Sequence, residues 1–167
     1  MKLNVLPMSK REASIIMSWT YEPPYSLYSL SESKEQEDEL LNGNYYVVVT
    51  AEDDVFGFYC YGESAKVPGG KREGCYDDQR PIDIGLGMNP VYTGQGYGLQ
   101  FFELGLSVGE ELYAPEFFRL SVARWNQRAV TLYKKFGFNT EMTFMNYGET
   151  DVEFLLMTNK GDSPPLR

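Results

Sequence analysis

The chain has 167 residues, of which 43% are hydrophobic and 15% aromatic, so it can form one domain with a substantial core. Its formal net charge of −9 argues against binding to nucleic-acid backbones or anionic membranes and is compatible with a cationic substrate. The absence of histidine excludes histidine-based catalysis and histidine metal ligands, and two cysteines are too few for a disulfide framework.

The N-terminal residues predict a short strand at 3–6 followed by a helix. Ser9 and Glu12 have the three-residue spacing of a capping box, which predicts a helix that ends near Trp19. Its inward residues are expected to be Ala13, Ile16 and Met17.

A proline-containing loop follows this helix. Pro23 and Pro24 exclude helix and favour an extended or turn conformation. Two interpretations of the aromatic residues in the loop stay open: they line a pocket for an amine, or they cover the edge of the core. The candidate amine-binding residues are Tyr21, Glu22, Tyr25 and Tyr28.

The next segments predict an acidic helix and a hairpin. The acidic residues of 31–41 are typical of a solvated helix face, with substrate steering as the alternative. Residues 45–50 and 55–61 are rich in β-branched and aromatic residues and predict two antiparallel strands. Residues 62–80 are polar and glycine-rich, and we expect a long mobile loop there.

Residues 82–98 predict a strand, a turn and the start of a helix. Apolar residues alternate over 82–88, and Pro90 ends this strand. Gly94, Gly96 and Gly98 let successive backbone N–H groups converge at a helix N-terminus, which favours a phosphate-bearing ligand; a tight turn without a ligand is the alternative. The inward helix stripes are expected at Tyr97, Phe101, Leu104, Val108 and Leu112 and at Leu99, Phe102 and Leu106.

A second strand–helix unit follows. Residues 118–123 alternate as a strand, Asn126 is placed as a helix N-cap, and Gly137 is placed as the helix stop. The apolar stripe of this helix is expected at Ala129, Leu132, Tyr133 and Phe136. Strands at 140–147 and 151–158 complete the chain, which predicts a mixed α/β (α+β) sheet with helices on both faces.

Two motifs resemble those of the GNAT superfamily of acyl-CoA-dependent N-acetyltransferases. The first, V-x-P-x-x-[QR]-G-x-G-x-[GA], is matched by Met88, Pro90, Thr93, Gly94, Gly96 and Gly98, with Thr93 departing from the usual Gln or Arg. The second, more specific motif is L-x-V-x-x-x-N-x-x-A-x-x-L-Y-x-x-x-G-F. It is matched by Leu120, Val122, Asn126, Ala129, Leu132, Tyr133, Gly137 and Phe138.

The resemblance implies a single GNAT-like domain over residues 1–160, with a mostly antiparallel sheet and a flexible tail at 161–167. It implies acetyl-CoA as co-substrate, with the pantetheine along the fourth strand and Asn126, and the pyrophosphate on the glycine loop. The residues expected to bind acetyl-CoA are Leu86, Gly87, Met88, Thr93, Gly94, Gln95, Gly96, Tyr97, Gly98 and Asn126.

The resemblance also implies direct attack of an amine on the thioester. Tyr133 takes the position of the family's general acid, and a phenol with an ordinary pKa near 10 stays protonated at neutral pH. The alternative is a core-facing tyrosine. The general base that accepts the amine proton is not identified, because Ser121 stands where some members of the family carry an acid. Asp83, Glu22 and water are the remaining candidates. Asp83 is equally compatible with a solvent-facing charge at a strand edge.

The expected function is acetyl transfer from acetyl-CoA to an unidentified small-molecule or peptide amine. A catalytically silent acyl-CoA-binding module stays open as the alternative, and a transferase of longer acyl chains differs only in pocket volume. We expect a cytoplasmic location, no metal, and no nucleic-acid or membrane partner, with a homodimer left open.

Overall fold

The computed structural model describes residues 1–161, and its main elements follow the predicted order. The strands are β1 (Leu3–Pro7), β2 (Tyr45–Thr50), β3 (Val55–Tyr61), β4 (Ile82–Met88), β5 (Phe118–Ala123), β6 (Asn139–Asn146) and β7 (Val152–Thr158). The α-helices are α1 (Lys10–Met17), α2 (Lys34–Leu40), α3 (Pro68–Arg72), α4 (Gly98–Tyr113) and α5 (Gln127–Lys135). Within residues 1–161, no helix combines the length and apolar character needed to cross a membrane.

The seven strands form one mixed, mostly antiparallel sheet in the order β1-β2-β3-β4-β5-β7-β6. β1 and β3 are antiparallel to β2, and β5 and β6 are antiparallel to β7. β4 and β5 run parallel, with Ile82 opposite Phe118 and Asp83 opposite Arg119. The predicted fold class is therefore confirmed.

The chain forms two compact units that alternate along the sequence. The first unit comprises Met1–Ser64 and Leu86–Phe102, and the second comprises Ala65–Gly85 and the residues from Glu103 onward. The expectation of one domain over 1–160 stays a prediction. A flexible tail was predicted at 161–167, and residues 162–167 of it lie outside the described residues.

The first unit has a core between its helices and strands. Ala13, Ile16 and Met17, at positions i, i+3 and i+4 of α1, are buried as predicted because this spacing places them on one helix face. The buried members of this cluster are Ala13, Ile16, Met17, Trp19, Leu40, Val47, Val49 and Val55.

The second unit has a separate cluster under β6 and β7. Cys75 and Tyr76 are buried against Phe144 and Leu156. The expectation of a mobile loop over 62–80 was wrong, because part of this segment forms α3 and part of it supplies buried side chains. α3 is held through the Gly69 N–H, which donates to Asn146 Oδ1 at 2.9 Å.

Two predictions about helix ends were also wrong in detail. Ser9 precedes α1, but its hydroxyl donates to the Glu12 carboxylate instead of accepting a backbone N–H, so no capping box forms. α2 begins at Lys34 rather than at residue 31, because Ser33 Oγ accepts the Gln36 N–H at 3.1 Å and caps the helix there.

The two apolar stripes predicted for α4 are both only partly buried. Phe101 and Phe102 are fully buried, whereas Leu99 and Leu112 near the two helix ends are exposed. A helix end has neighbours on fewer sides than a helix centre, so apolar spacing alone does not ensure burial there.

Candidate active site

The glycine loop lies in the first unit, between β4 and α4. Pro90–Tyr92 form a 3₁₀ turn, and the Thr93 N–H donates to Pro90 O at 3.2 Å. Gly94 and Gly96 have φ of +74° and +84°, a region that side chains with a Cβ rarely adopt. No heavy atom lies within 4 Å of a Cβ built on either glycine. The loop therefore leaves open space at its backbone, as an anion-binding turn before a helix requires.

A cluster of aromatic rings packs against this loop. Phe56 is fully buried, and the centre of its ring lies 4.7 Å from that of Tyr92, 5.6 Å from that of Tyr97 and 5.3 Å from that of Phe101. Tyr59 stacks on Phe101 and donates its hydroxyl to Phe101 O at 2.5 Å. The loop and the first turn of α4 thus lie on a packed aromatic layer.

The end of β4 presents a backbone edge that Tyr21 contacts. The Asn89 N–H donates to Phe56 O on β3 at 2.8 Å. The C=O and N–H of a trans peptide point in opposite directions, so the Met88 C=O points away from β3. Tyr21 Oη donates to this Met88 carbonyl at 2.7 Å. Burial raises the pKa of Tyr21 to about 12, so its hydroxyl keeps the proton that this bond needs at neutral pH.

The other residues predicted to bind the amine lie in or next to a short turn. Tyr25–Tyr28 form a 3₁₀ turn, whose Tyr25 N–H donates to Glu22 O at 2.8 Å. Glu22 and Tyr28 are exposed, and Tyr21 packs against the core cluster of α1. Tyr21 therefore covers the edge of the core, while the assignment of all four residues to an amine pocket stays a prediction.

Asp83, in the second unit, forms a buried ion pair. Arg119 Nε donates to Asp83 Oδ2 at 2.9 Å, and Arg119 Nη2 donates to Asp83 Oδ1 at 2.7 Å. The side chains of Arg119 and Asp83 are only 4% and 2% exposed. The alternative of a solvent-facing Asp83 is therefore wrong, since parallel pairing with β5 places the two residues side by side. Because both of its oxygens bind an arginine, Asp83 is also a weak candidate for the base.

Tyr76 covers this ion pair and contacts Ser121. The Arg119 guanidinium lies 5.1 Å from the centre of the Tyr76 ring, and Tyr76 Oη lies 2.6 Å from Ser121 Oγ. The Tyr76 hydroxyl also accepts the Val67 N–H at 3.0 Å. Burial raises the pKa of Tyr76, so it keeps its proton. At position 121 the structure thus has a serine hydroxyl that is hydrogen-bonded to the hydroxyl of Tyr76.

Tyr133 lies in α5, which has the predicted ends. Asn126 Oδ1 accepts the Ala129 N–H at 3.3 Å, which confirms the N-cap. Gly137 has φ of +84°, its N–H donates to Lys134 O, and the Phe138 N–H donates to Tyr133 O. These two bonds form a Schellman motif, which confirms the helix stop. Tyr133 is buried and its ring centre lies 6.4 Å from that of Phe138.

The predicted site residues thus belong to two different units of the chain. The first unit holds the candidate amine-binding residues of 21–28, the 86–88 edge and the glycine loop, and the second holds Asp83, Asn126 and Tyr133. Across residues 1–161 no group of three or more Cys, Asp or Glu side chains could hold a metal ion.

Three residues with structural roles at these places escaped the sequence analysis. Asn89 makes several hydrogen bonds before the loop, and its Asn-Pro dipeptide is a turn signal that could have indicated it. Arg119 pairs with Asp83. The only sequence signal for this pair was that two opposite charges occur near the starts of two strands. Tyr76 had no local signal, because its partners are distant in sequence.

Comparison with known proteins gives a consistent result. The family model described as "Acetyltransferase (GNAT) family" matches residues 13–138. A chimera of the Vibrio cholerae spermidine N-acetyltransferase SpeG with hSSAT is 19% identical, with 95% of each chain covered and a TM-score of 0.68. A GNAT-family acetyltransferase from Bacillus anthracis is 14% identical, with 95% of this chain and 94% of that chain covered and a TM-score of 0.71. No curated protein matches the chain.

Proposed function

The chain belongs to the GNAT family of acetyltransferases, and on that premise we propose that it transfers an acetyl group from acetyl-CoA to a primary amine by direct attack. The observation that carries this proposal is the loop at 94–98, whose two glycines with positive φ leave their backbone open at the start of a 16-residue helix. Backbone N–H groups in this arrangement and the positive end of the helix dipole favour a pyrophosphate.

The residues present fit acetyl-CoA. The Met88 carbonyl points to the side of β4 that faces away from β3, and we propose that the pantetheine binds along this side, next to Leu86, as an added strand. Tyr21 already bonds the Met88 carbonyl, so it marks the end of the edge that is left for the ligand. The proposed pyrophosphate contacts are the backbone groups of Thr93, Gly94, Gln95, Gly96, Tyr97 and Gly98. Gly87 and Asn126 complete the set of residues that we propose to bind acetyl-CoA.

Acetyl-CoA supplies an acyl thioester, and the amine nitrogen forms a bond to its carbonyl carbon as the carbon–sulfur bond breaks. We propose that Tyr133 gives its hydroxyl proton to the leaving sulfur and regains a proton from solvent. The second motif, in which Tyr133 follows the confirmed N-cap Asn126 by seven residues, supports this role. General acid catalysis contributes about 10²–10⁴-fold to the rate of such steps.

The amine must lose a proton, and we propose that water accepts it, directly or through Glu22. Asp83 is the third candidate, but Arg119 donates a hydrogen bond to each of its two carboxylate oxygens, so both are already engaged in the buried ion pair. Tyr76 and Ser121 are neutral hydroxyls and make poor bases. With water as acceptor, kcat/KM rises with pH until the amine is deprotonated.

A cationic amine is the proposed acceptor. The net charge of −9 attracts cations, and the rings of Tyr21, Tyr25 and Tyr28 offer faces that bind ammonium groups. One structural neighbour is described as a spermidine N-acetyltransferase, which supports testing polyamines first. We also propose a cytoplasmic location, where the buried thiols of Cys60 and Cys75 would stay reduced.

The test is a thiol-release assay with acetyl-CoA and a panel of polyamines, amino acids, peptides and aminoglycosides. We expect thiol release that depends on both substrates, with an acetylated amine detected by mass spectrometry. CoA binding without turnover on any amine would favour the silent binding module, to which Thr93 and the missing acid at Ser121 also point. No CoA binding at all would refute both functions.

A further inference from the structure

β3 contains a bulge directly beside the glycine loop. Val48 on β2 lies opposite Gly57, but the next residue, Val49, lies opposite Val55, so Phe56 is one extra residue on β3. Such a bulge leaves the extra residue outside the regular ladder and redirects the backbone next to it. A donor other than β2 is then needed for the carbonyls at this point, since buried carbonyls are almost always hydrogen-bonded.

Asn89 supplies two such donors. Its backbone N–H donates to Phe56 O at 2.8 Å, and its side-chain Nδ2 donates to Val55 O at 2.8 Å. In a regular strand, successive carbonyls point to opposite edges. The bulge therefore explains how Asn89 can bond the carbonyls of both Val55 and Phe56. Val55 and Phe56 are both buried, which makes these bonds hard for water to replace.

Asn89 also forms the start of the loop, through its side chain and its backbone carbonyl. Asn89 Oδ1 accepts the Val91 N–H at 3.1 Å, and Asn89 O accepts the Tyr92 N–H at 2.9 Å. The Tyr92 ring in turn contacts that of Phe56, the bulged residue, in a tilted arrangement with 4.7 Å between the ring centres. Asn89 therefore joins the bulge on one side to the 3₁₀ turn on the other, and Gly94 follows this turn after one residue.

We propose that Asn89 is a positioning residue for the pyrophosphate loop, which it holds in its anion-binding conformation through the Val55 and Val91 bonds. The inference rests on the proposed function, because it assumes that the loop binds CoA. A preformed loop binds its anion more tightly, since less conformational entropy is lost on binding. The expected loss on removing the Asn89 side chain is about tenfold in CoA affinity, as two net hydrogen bonds would supply.

The test compares Asn89→Ala and Asn89→Ser with a matched control, Asn42→Ala. Asn42 has the same kind of contacts in the same unit, because its Oδ1 accepts the Asn44 N–H and its Nδ2 donates to Ser64 Oγ. Serine at position 89 can still accept the Val91 N–H, but it is too short to reach Val55 O. Calorimetry gives the Kd for CoA, and thermal unfolding confirms that each variant is folded.

We expect Asn89→Ala to bind CoA about tenfold more weakly, Asn89→Ser to bind about threefold more weakly because it keeps the Val91 bond, and Asn42→Ala to bind as the unmodified chain does. In kinetics, the KM for acetyl-CoA should rise with little change in kcat, whereas a merely structural role would lower the active fraction, and so kcat, at constant KM. Native CoA affinity in folded Asn89→Ala would overturn the inference. Native affinity in Asn89→Ser alone would overturn the part assigned to Val55.

If neither Asn89 variant folds, Asn89 serves stability and the inference is overturned as well. No CoA binding by the unmodified chain would remove the proposed function itself and the inference with it. This last outcome is seen before any variant is compared, so the two failures are distinct.

Discussion

Replacing Arg119 by Met tests whether the buried ion pair is a structural device. The Arg119→Met substitution keeps an unbranched apolar side chain but removes the guanidinium. Asp83 would then be left as a carboxylate at 2% exposure without the two N–H groups that now bind it. The Asp78 carbonyl would also lose the Nη1 donor that lies 3.0 Å from it.

The expected cost is large because the remaining charge is buried. Breaking a buried ion pair by removing one partner costs about 3–5 kcal/mol. A domain of this size is stable by only about 5–15 kcal/mol, so the substitution removes a large share of the total. Replacing both partners, as in Asp83→Leu with Arg119→Met, leaves no buried charge, and we expect the double variant to be more stable than Arg119→Met alone.

Urea unfolding monitored by tryptophan fluorescence measures these free energies. The control is Arg124→Met, which removes an ion pair with Glu153 at 3.2 Å whose side chains are 62% and 36% exposed. Exposed pairs contribute about 0–1 kcal/mol, so the control should unfold near the urea concentration of the unmodified chain. The reasoning is refuted if Arg119→Met costs no more than Arg124→Met, or if the double variant is the least stable of the three.

Three further predictions concern the loop, the proposed acid and the tyrosines. Gly96→Glu should abolish CoA binding measured by calorimetry, because φ of +84° disfavours a side chain and the carboxylate repels phosphate. Tyr133→Phe should keep fold and CoA affinity but slow single-turnover acetyl transfer at least about tenfold, since only the proposed acid is removed. Burial raises the pKa of Tyr21 from 10.0 to about 12, and it also raises those of Tyr45 and Tyr59. The unfolded chain therefore loses these protons first, so the free energy of unfolding should fall as the pH rises above about 10, measured by urea unfolding.

Each of these has a clear contrary result. A folded Gly96→Glu protein with native CoA affinity would remove the loop as the binding site. Unchanged single-turnover transfer in Tyr133→Phe would remove Tyr133 as the acid, while leaving the acetyltransferase activity itself in place. Constant stability between pH 9 and 12 would contradict the burial effect, and the Tyr45→Phe variant, with one phenol fewer, should show a smaller fall.

Local sequence patterns were sufficient for the elements that frame the candidate site. The hairpin strands have the predicted bounds, and β4 lies where alternation placed it, because side-chain period and chain direction are properties of neighbouring residues. Gly137 and Asn126 were identified as helix ends for the same reason: each acts on backbone groups within a few residues of itself. The glycine loop also follows from local φ requirements.

Contacts between distant residues were decided by tertiary structure. Asp83 and Arg119 meet through the register of two parallel strands, Tyr21 bonds a carbonyl 67 residues away, and Asn89 bonds one 34 residues away. A sequence pattern specifies which face of an element is apolar, but not which polar group on another element will lie opposite it. For this reason the sequence by itself determined where the glycine loop and α5 lie. Only the folded chain showed that Asp83 is neutralised by an arginine and that Asn89 anchors the loop to a bulge in β3.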